Sequence, residues 1–143
     1  VAETLSKPIG WRTALFAVVT DAMGRPFKWG SNDCVTFAAG CIQAQIGIDR
    51  LAAYRGKYTT AAGALRVIKQ AGHASLLDML KAELGEPMDL PKAHVGDVAL
   101  LASDAPGGVG WACGIFLGER VGVMAPAGYA TIERRLAQYA FKV

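Results

Sequence analysis

No apolar stretch in the 143 residues reaches the roughly 18–20 that a membrane-spanning helix needs. The best candidate, ALFAVVTDAM, is cut by Thr20 and Asp21, so no membrane span is expected. The opening VAETLSKPIGW lacks the basic-then-apolar order of a secretory signal, and synthesis in the cytoplasm is expected. Cysteine is scarce: Cys34, Cys41 and Cys113 are odd in number and too few for a disulfide framework. On a helix, Cys34 and Cys41 would share a face about 10 Å apart along the axis, beyond the span of a disulfide. There is no C-x-x-C pair, and only His73 and His94 could supply a fourth ligand to a zinc or iron–sulfur site. No metal or cofactor is therefore expected; three cysteines with one histidine are the only metal-binding alternative. Basic residues are not concentrated either. The fifteen Lys and Arg run from Lys7 to Lys142 with only Arg134 and Arg135 adjacent, so nucleic acid is not an expected partner.

What is present is a core. Hydrophobic residues make up 52% of the chain, enough for one ordered domain over residues 1–143 and too little chain for two comfortable ones. The first half reads as helices. WRTALFAVVTDAMG aligns Trp11, Leu15, Val18, Val19 and Ala22 on one stripe, stopped by Gly24 and Pro26. A second helix follows GSND, capped by Asn32 or Asp33, with Val35, Ala38, Ala39, Ile42 and Ile46 as its apolar face and Gly47 as its end. A third begins at Thr59 or Thr60 and stops at Gly72; a fourth runs from a Ser75 cap to Gly85.

After Pro87 and Pro91 the pattern changes to strands. GDVALLA reads as a short buried strand, and GWACGIFLG and RVGVMAP as a hairpin through Gly118-Glu119. YATIERR and YAFKV are weaker strands that could complete an antiparallel sheet, and SDAPGGVG is expected to be the most flexible segment. Helices first and strands later predict an α+β fold, with the N-terminal helices packed on one face of a C-terminal antiparallel sheet.

The stretch WGSNDCVTFAAGC places Cys34 on the first turn of a helix. Unpaired N–H groups and the helix dipole favour a thiolate there. A nucleophilic cysteine also needs a base, normally histidine, and often a third polar group to orient it. The alternative for Cys34 is a small buried thiol against the sheet. Cys41, flanked by Ala39, Gly40 and Ile42, reads as core.

Three segments resemble the NlpC-type cell-wall cysteine peptidases, a compact papain-like family. PFKWGSNDCVTFAAGCI resembles their entry into the nucleophile helix, with Cys34 at the nucleophile position after Asp33. HVGDVALL and ACGIFLGE resemble their first and second strands. The chain is also similar to a group of short tail proteins of siphophages and related prophages, which share PF-x-W-G-x-x-D-C-x-x-F-A-A and then G-x-Y-x-T-x-x-G-A; GKYTTAAGALRVI fits the second motif. The resemblance spans roughly residues 11–143 and implies a papain-like fold.

One departure separates the chain from the peptidases. Matching GIFLG to their G-I-Y-L-G puts Ala112 where the resemblance implies a catalytic histidine, and the following strand offers no His, Asn, Gln, Asp or Glu between Gly122 and Pro126. His94, before the first strand, is the candidate substitute base, with a solvated loop histidine as its plain alternative. His73 reads as a helix-ending loop residue, and Asp97 as a turn or strand start. If Ala112 faces Cys34, Cys113 points to the opposite face and is core.

The resemblance thus implies a structural component of a phage tail tip or baseplate, a pseudoenzyme located in the virion tail. Its partners would be other tail proteins, with Trp111 and Tyr129 as surface contacts. The alternative is an active cysteine peptidase or amidase that cleaves peptidoglycan stem peptides, with Cys34 as nucleophile and His94, or a group from another chain, as base.

Overall fold

A computed structural model describes residues 7–103 and 110–143. Most of the SDAPGGVG segment falls outside the described residues. The helices are α1 (Trp11–Met23), α2 (Cys34–Ile46), α3 (Ala61–Gln70) and α4 (Leu76–Leu84). The strands are β1 (Val98–Ala102), β2 (Trp111–Phe116), β3 (Arg120–Ala125), β4 (Gly128–Glu133) and β5 (Tyr139–Phe141). The fold is α+β, helices N-terminal and strands C-terminal, as the sequence pattern predicts.

Side-chain caps set where the helices begin. Asp33, not Asn32, caps α2: its carboxylate accepts the Thr36 N–H while the Thr36 hydroxyl accepts the Asp33 N–H, both at 2.9 Å. Thr60, rather than Thr59, caps α3 through the Gly63 N–H, and Ser75 caps α4 through the Asp78 N–H. Gly47 ends α2 in the left-handed region at φ 76°, where a glycine costs least.

The five strands form one antiparallel sheet in the order β4-β3-β2-β1-β5. The β2–β3 hairpin turns at Gly118-Glu119, with Leu117 N–H donating to the Arg120 carbonyl at 2.8 Å. β5 returns to the far edge of β1 and pairs Phe141 with Val98.

The pleat divides the sheet into two apolar faces. Val98, Leu100, Cys113, Ile115, Met124 and Phe141 pack under the helices with Leu15, Phe37, Ile42, Leu76 and Met79. Ala99, Leu101, Phe116, Val121, Val123 and Ala140 form the other face, covered by Met88, Leu90, Ala93 and Ala137 from short irregular segments. Arg134 fastens that cover. Its guanidinium donates to the carbonyls of Gly118, Leu90 and Ala93 at 3.2, 3.0 and 2.7 Å and lies over the Phe116 ring.

Trp111 and Tyr129 are not the free surface contacts the sequence suggests. Both are half-buried, Trp111 edge-on to Tyr139 at 5.8 Å and Tyr129 edge-on to Phe37 at 5.9 Å. Large amphipathic rings at the rim of a core bury their apolar bodies this way. On α1, Phe16 and Met23 are the large apolar side chains left exposed, seven residues apart on one helix face.

Candidate functional site

The site begins with a turn that only glycine can make. Gly30 lies at φ +86°, and a Cβ there would stand 2.0 Å from the Tyr58 carbonyl oxygen. The turn is therefore pressed against the segment around residue 58, and the Gly56 N–H donates to the Gly30 carbonyl at 3.0 Å. Asn32 anchors the other side through its side-chain amide, which donates to the carbonyls of Arg25 and Pro26 at 3.2 and 3.0 Å. Phe27 and Trp29 meet edge-on at 4.9 Å, and Trp29 leans toward Tyr58.

Asp33 is fully buried, and its carboxylate is used up by this scaffold. One oxygen accepts the Gly30 N–H at 2.7 Å; the other accepts the N–H and hydroxyl of Thr36 at 2.9 and 3.2 Å. Tyr58 adds its phenol. Burial pushes that phenol far above its ordinary value, and the Asp33 charge and hydrogen bond push it further. Tyr58 therefore stays protonated and donates. Asp33 is a structural carboxylate and does not act on the thiol as a base.

Cys34 opens α2 directly after this cap, partly buried, on the wall of an apolar cavity of about 140 Å³. Phe27, Trp29, Tyr58, Ile68 and Met79 line its helical side; Trp111, Ala112, Val123 and Met124 line its sheet side. The cavity reaches residues of both sheet faces because β2 and β3 part company there. Their ladder pairs Ile115 with Gly122 and Phe116 with Val121 and goes no further toward Trp111. No His, Asp, Glu, Asn or Gln is among the described residues that line the cavity.

The neighbour of Cys34 is Cys113. Cys113 is core as expected, but on the helix-facing side with Ile115 rather than turned away from the thiol; Ala112 packs with the opposite face while also lining the Cys34 cavity. The register fixes this parity, since Cys113 pairs with Leu100, another helix-facing residue. The Cys34 sulfur takes hydrogen bonds from the Cys113 thiol, the Cys113 backbone N–H and the Val35 N–H. The Cys113 N–H is available because the β2–β3 ladder ends before reaching it.

The two thiols titrate as a pair. Donation from Cys113 holds Cys34 below the ordinary thiol value, against burial and the Asp33 charge; the two backbone N–H groups add to the effect. Cys113 is driven well above it, first by giving its proton to that bond and then by burial. Cys34 is thus the thiol that ionises first, and Cys113 retains its proton. Cys41, fully buried in the core as its sequence neighbours indicate, is pushed up to about 12 by burial.

The histidines lie elsewhere. His94 is exposed at the start of β1, beside Lys92, Asp97 and Lys142 in a separate surface cleft, whereas Ser103, just past the other end of β1, lines the Cys34 cavity. The length of β1 keeps His94 from the thiol, so the structure does not bring this candidate pair together. His73 sits in the turn after α3, its N–H on the Ile68 carbonyl at 3.2 Å. Asp97 does what the sequence suggests: its buried carboxylate accepts the N–H groups of His94 and Val143 at 2.8 and 3.0 Å. Among the described residues no group of three or more His, Cys, Asp or Glu is placed to hold a metal.

Sequence reasoning missed Tyr58 as a partner of Asp33 and Gln45 as a buried tie. Gln45 donates to the Gly96 carbonyl at 2.7 Å and accepts from Lys7 Nζ at 2.8 Å. A polar residue within the apolar pattern of α2 was the available signal.

A family model described as a domain of unknown function (DUF6950) matches residues 6–143, and the chain belongs to that family. No curated protein matches it.

Proposed function

We propose that this chain is a structural component of a bacteriophage tail tip or baseplate, built on a papain-like cell-wall peptidase scaffold and working through protein–protein contacts rather than hydrolysis. The observation that carries this reading is the Cys34–Cys113 contact. Where a cysteine nucleophile needs an imidazole as its partner, the Cys34 thiol meets another thiol. A neutral thiol does not take a proton at neutral pH, nor can Cys113 hand one to a departing amine and be recharged from a base. Loss of general acid–base help costs on the order of 10²–10⁴-fold in rate. The sequence similarity to short siphophage tail proteins supplies the assembly, and the exposed Phe16 and Met23 face of α1 is a contact surface of the right chemistry.

The test has two arms. The purified chain, incubated with a peptidoglycan stem-peptide amide, is expected to release no more product than its Cys34→Ser variant. Immunogold labelling of virions from a phage encoding the chain is expected to mark the tail tip. Turnover that depends on Cys34, or virions that lack the chain, would overturn the proposal.

The lowered Cys34 thiol favours a second reading: a cysteine peptidase or amidase whose base arrives from a neighbouring chain. Two N–H groups on the sulfur would help hold the thiolate. Stem-peptide cleavage that appears only when tail proteins are added would select this reading over the first.

A further inference from the structure

We propose that Cys34 and Cys113 form a redox-active dithiol, oxidised by peroxide to a disulfide that ties the start of α2 to β2. This inference does not rest on the tail-protein reading. It stands on three features of the fold. The thiols touch across the helix–sheet interface, on two elements that pack directly on each other. Cys113 pairs with Leu100 on the helix-facing side of β2, so its side chain is directed at α2, on whose first turn Cys34 stands. Finally, Cys34 opens onto a cavity of about 140 Å³, whereas Cys113 is buried and Cys41 is sealed in the core. A small oxidant thus meets one thiol first, with the second directly behind it.

The chemistry balances with peroxide as the oxidant. The Cys34 thiolate attacks one oxygen of hydrogen peroxide; the O–O bond breaks, hydroxide leaves and is protonated to water, and Cys34 becomes a sulfenic acid. Cys113 then loses its proton, and its sulfur attacks the Cys34 sulfur. The S–O bond breaks and a second water departs. Two thiols are oxidised and one peroxide is reduced to two waters. The lowered Cys34 value suits the attacking role, and the contact with Cys113 suits that residue to resolve the intermediate.

The experiment treats the intact chain with hydrogen peroxide, with dimedone present to trap any sulfenic acid, and maps non-reduced peptides by mass spectrometry. The wild type is expected to lose two hydrogens in mass and give a linked peptide whose fragments join Cys34 to Cys113, with Cys41 unmodified and little dimedone adduct. Cys113→Ser is expected to accumulate the dimedone adduct on Cys34 at least tenfold over the wild type. A wild-type chain that collects dimedone or sulfinic acid on Cys34 without the linked peptide overturns the proposal, as does a linkage that appears only after urea unfolding. If Cys113→Ser does not fold, the wild-type peptide map decides by itself.

Discussion

Replacing Gly30 by alanine tests the turn that presents the thiol. Two costs are separable. The first is conformational: alanine at φ +86° pays the left-handed penalty of about 1–2 kcal/mol. The second is steric. The new Cβ would stand 2.0 Å from the Tyr58 carbonyl oxygen, and a backbone atom cannot rotate aside as a side chain can. Either the turn or the residue-58 segment must move, which strains the Gly56-to-Gly30 bond at 3.0 Å and the Gly30-to-Asp33 bond at 2.7 Å. At about 1 kcal/mol for the first and about 1.5–3 for the charge-assisted second, the total with the conformational cost reaches roughly 3.5–6 kcal/mol. Gly47 supplies the control. It has φ +76° but nothing within 4 Å of its built Cβ, so Gly47→Ala pays the conformational cost alone. Urea denaturation followed by tryptophan fluorescence measures both, because Trp29 sits beside the turn. Gly30→Ala is expected to exceed Gly47→Ala by at least about 2 kcal/mol. Destabilisations that agree within about 0.5 kcal/mol would refute the claim that the turn is locked against Tyr58.

Two other substitutions test the thiols. The pH dependence of iodoacetamide labelling at Cys34 should have its midpoint below 9.0, and Cys113→Ala should raise it, because the Cys113 hydrogen bond is the largest cause of the shift; an unchanged midpoint contradicts that assignment. Cys41 should make the fold alkali-sensitive. Its folded value is raised to about 12 from 9.0, so the native thiol keeps its proton while the unfolded one loses it. Its stabilising contribution is therefore complete below pH 9.0 and lost as pH rises toward about 12. Between pH 8 and 10.5 this amounts to roughly 2 kcal/mol, and Cys41→Ala should show a correspondingly smaller loss over that range in urea melts. An identical pH dependence in both proteins would show that the other raised groups, Cys113 and the tyrosines Tyr54, Tyr58 and Tyr129, carry the effect instead.

The helix caps, the Gly47 stop, the Gly118-Glu119 turn and the burial of Cys41 were legible because each depends on residues close together in sequence. The partner of Cys34 was not. A strand that alternates polar and apolar residues announces which side faces the core, but WACGIF is apolar or small at every position and carries no such alternation. Its parity is decided by pairing with β1, where Cys113 falls opposite Leu100 and Ala112 opposite Leu101. That is a tertiary fact, and matching by motif placed the neighbouring residue against the thiol. The use of Asp33 shows the same limit. Its capping role follows from Thr36 three positions on, while Tyr58 joins it only because Gly30 lets two distant segments touch.

On the proposed reading, the lack of a base and of a third polar group beside Cys34 among the described residues has one physical basis. An imidazole at the Cys113 position would be buried on the helix-facing side of β2, and a buried ring nitrogen without a partner costs about 1–3 kcal/mol. On β3 the helix-facing residue in this region is Met124, whose sulfur accepts weakly from the Asn32 side chain at 3.8 Å and offers nothing that could hold an imidazole in one tautomer. A thiol escapes that penalty because it packs as a small hydrophobe with a weak donor, and here the donor is satisfied by Cys34. Once β3 carries methionine, a histidine on β2 is destabilising and a cysteine is not. The splay of β2 from β3 nevertheless persists, with its cavity and its released N–H. On the proposed reading the scaffold keeps an activated thiol with no proton relay among the described residues that line its cavity, and Cys113 is the partner that this chain gives to Cys34.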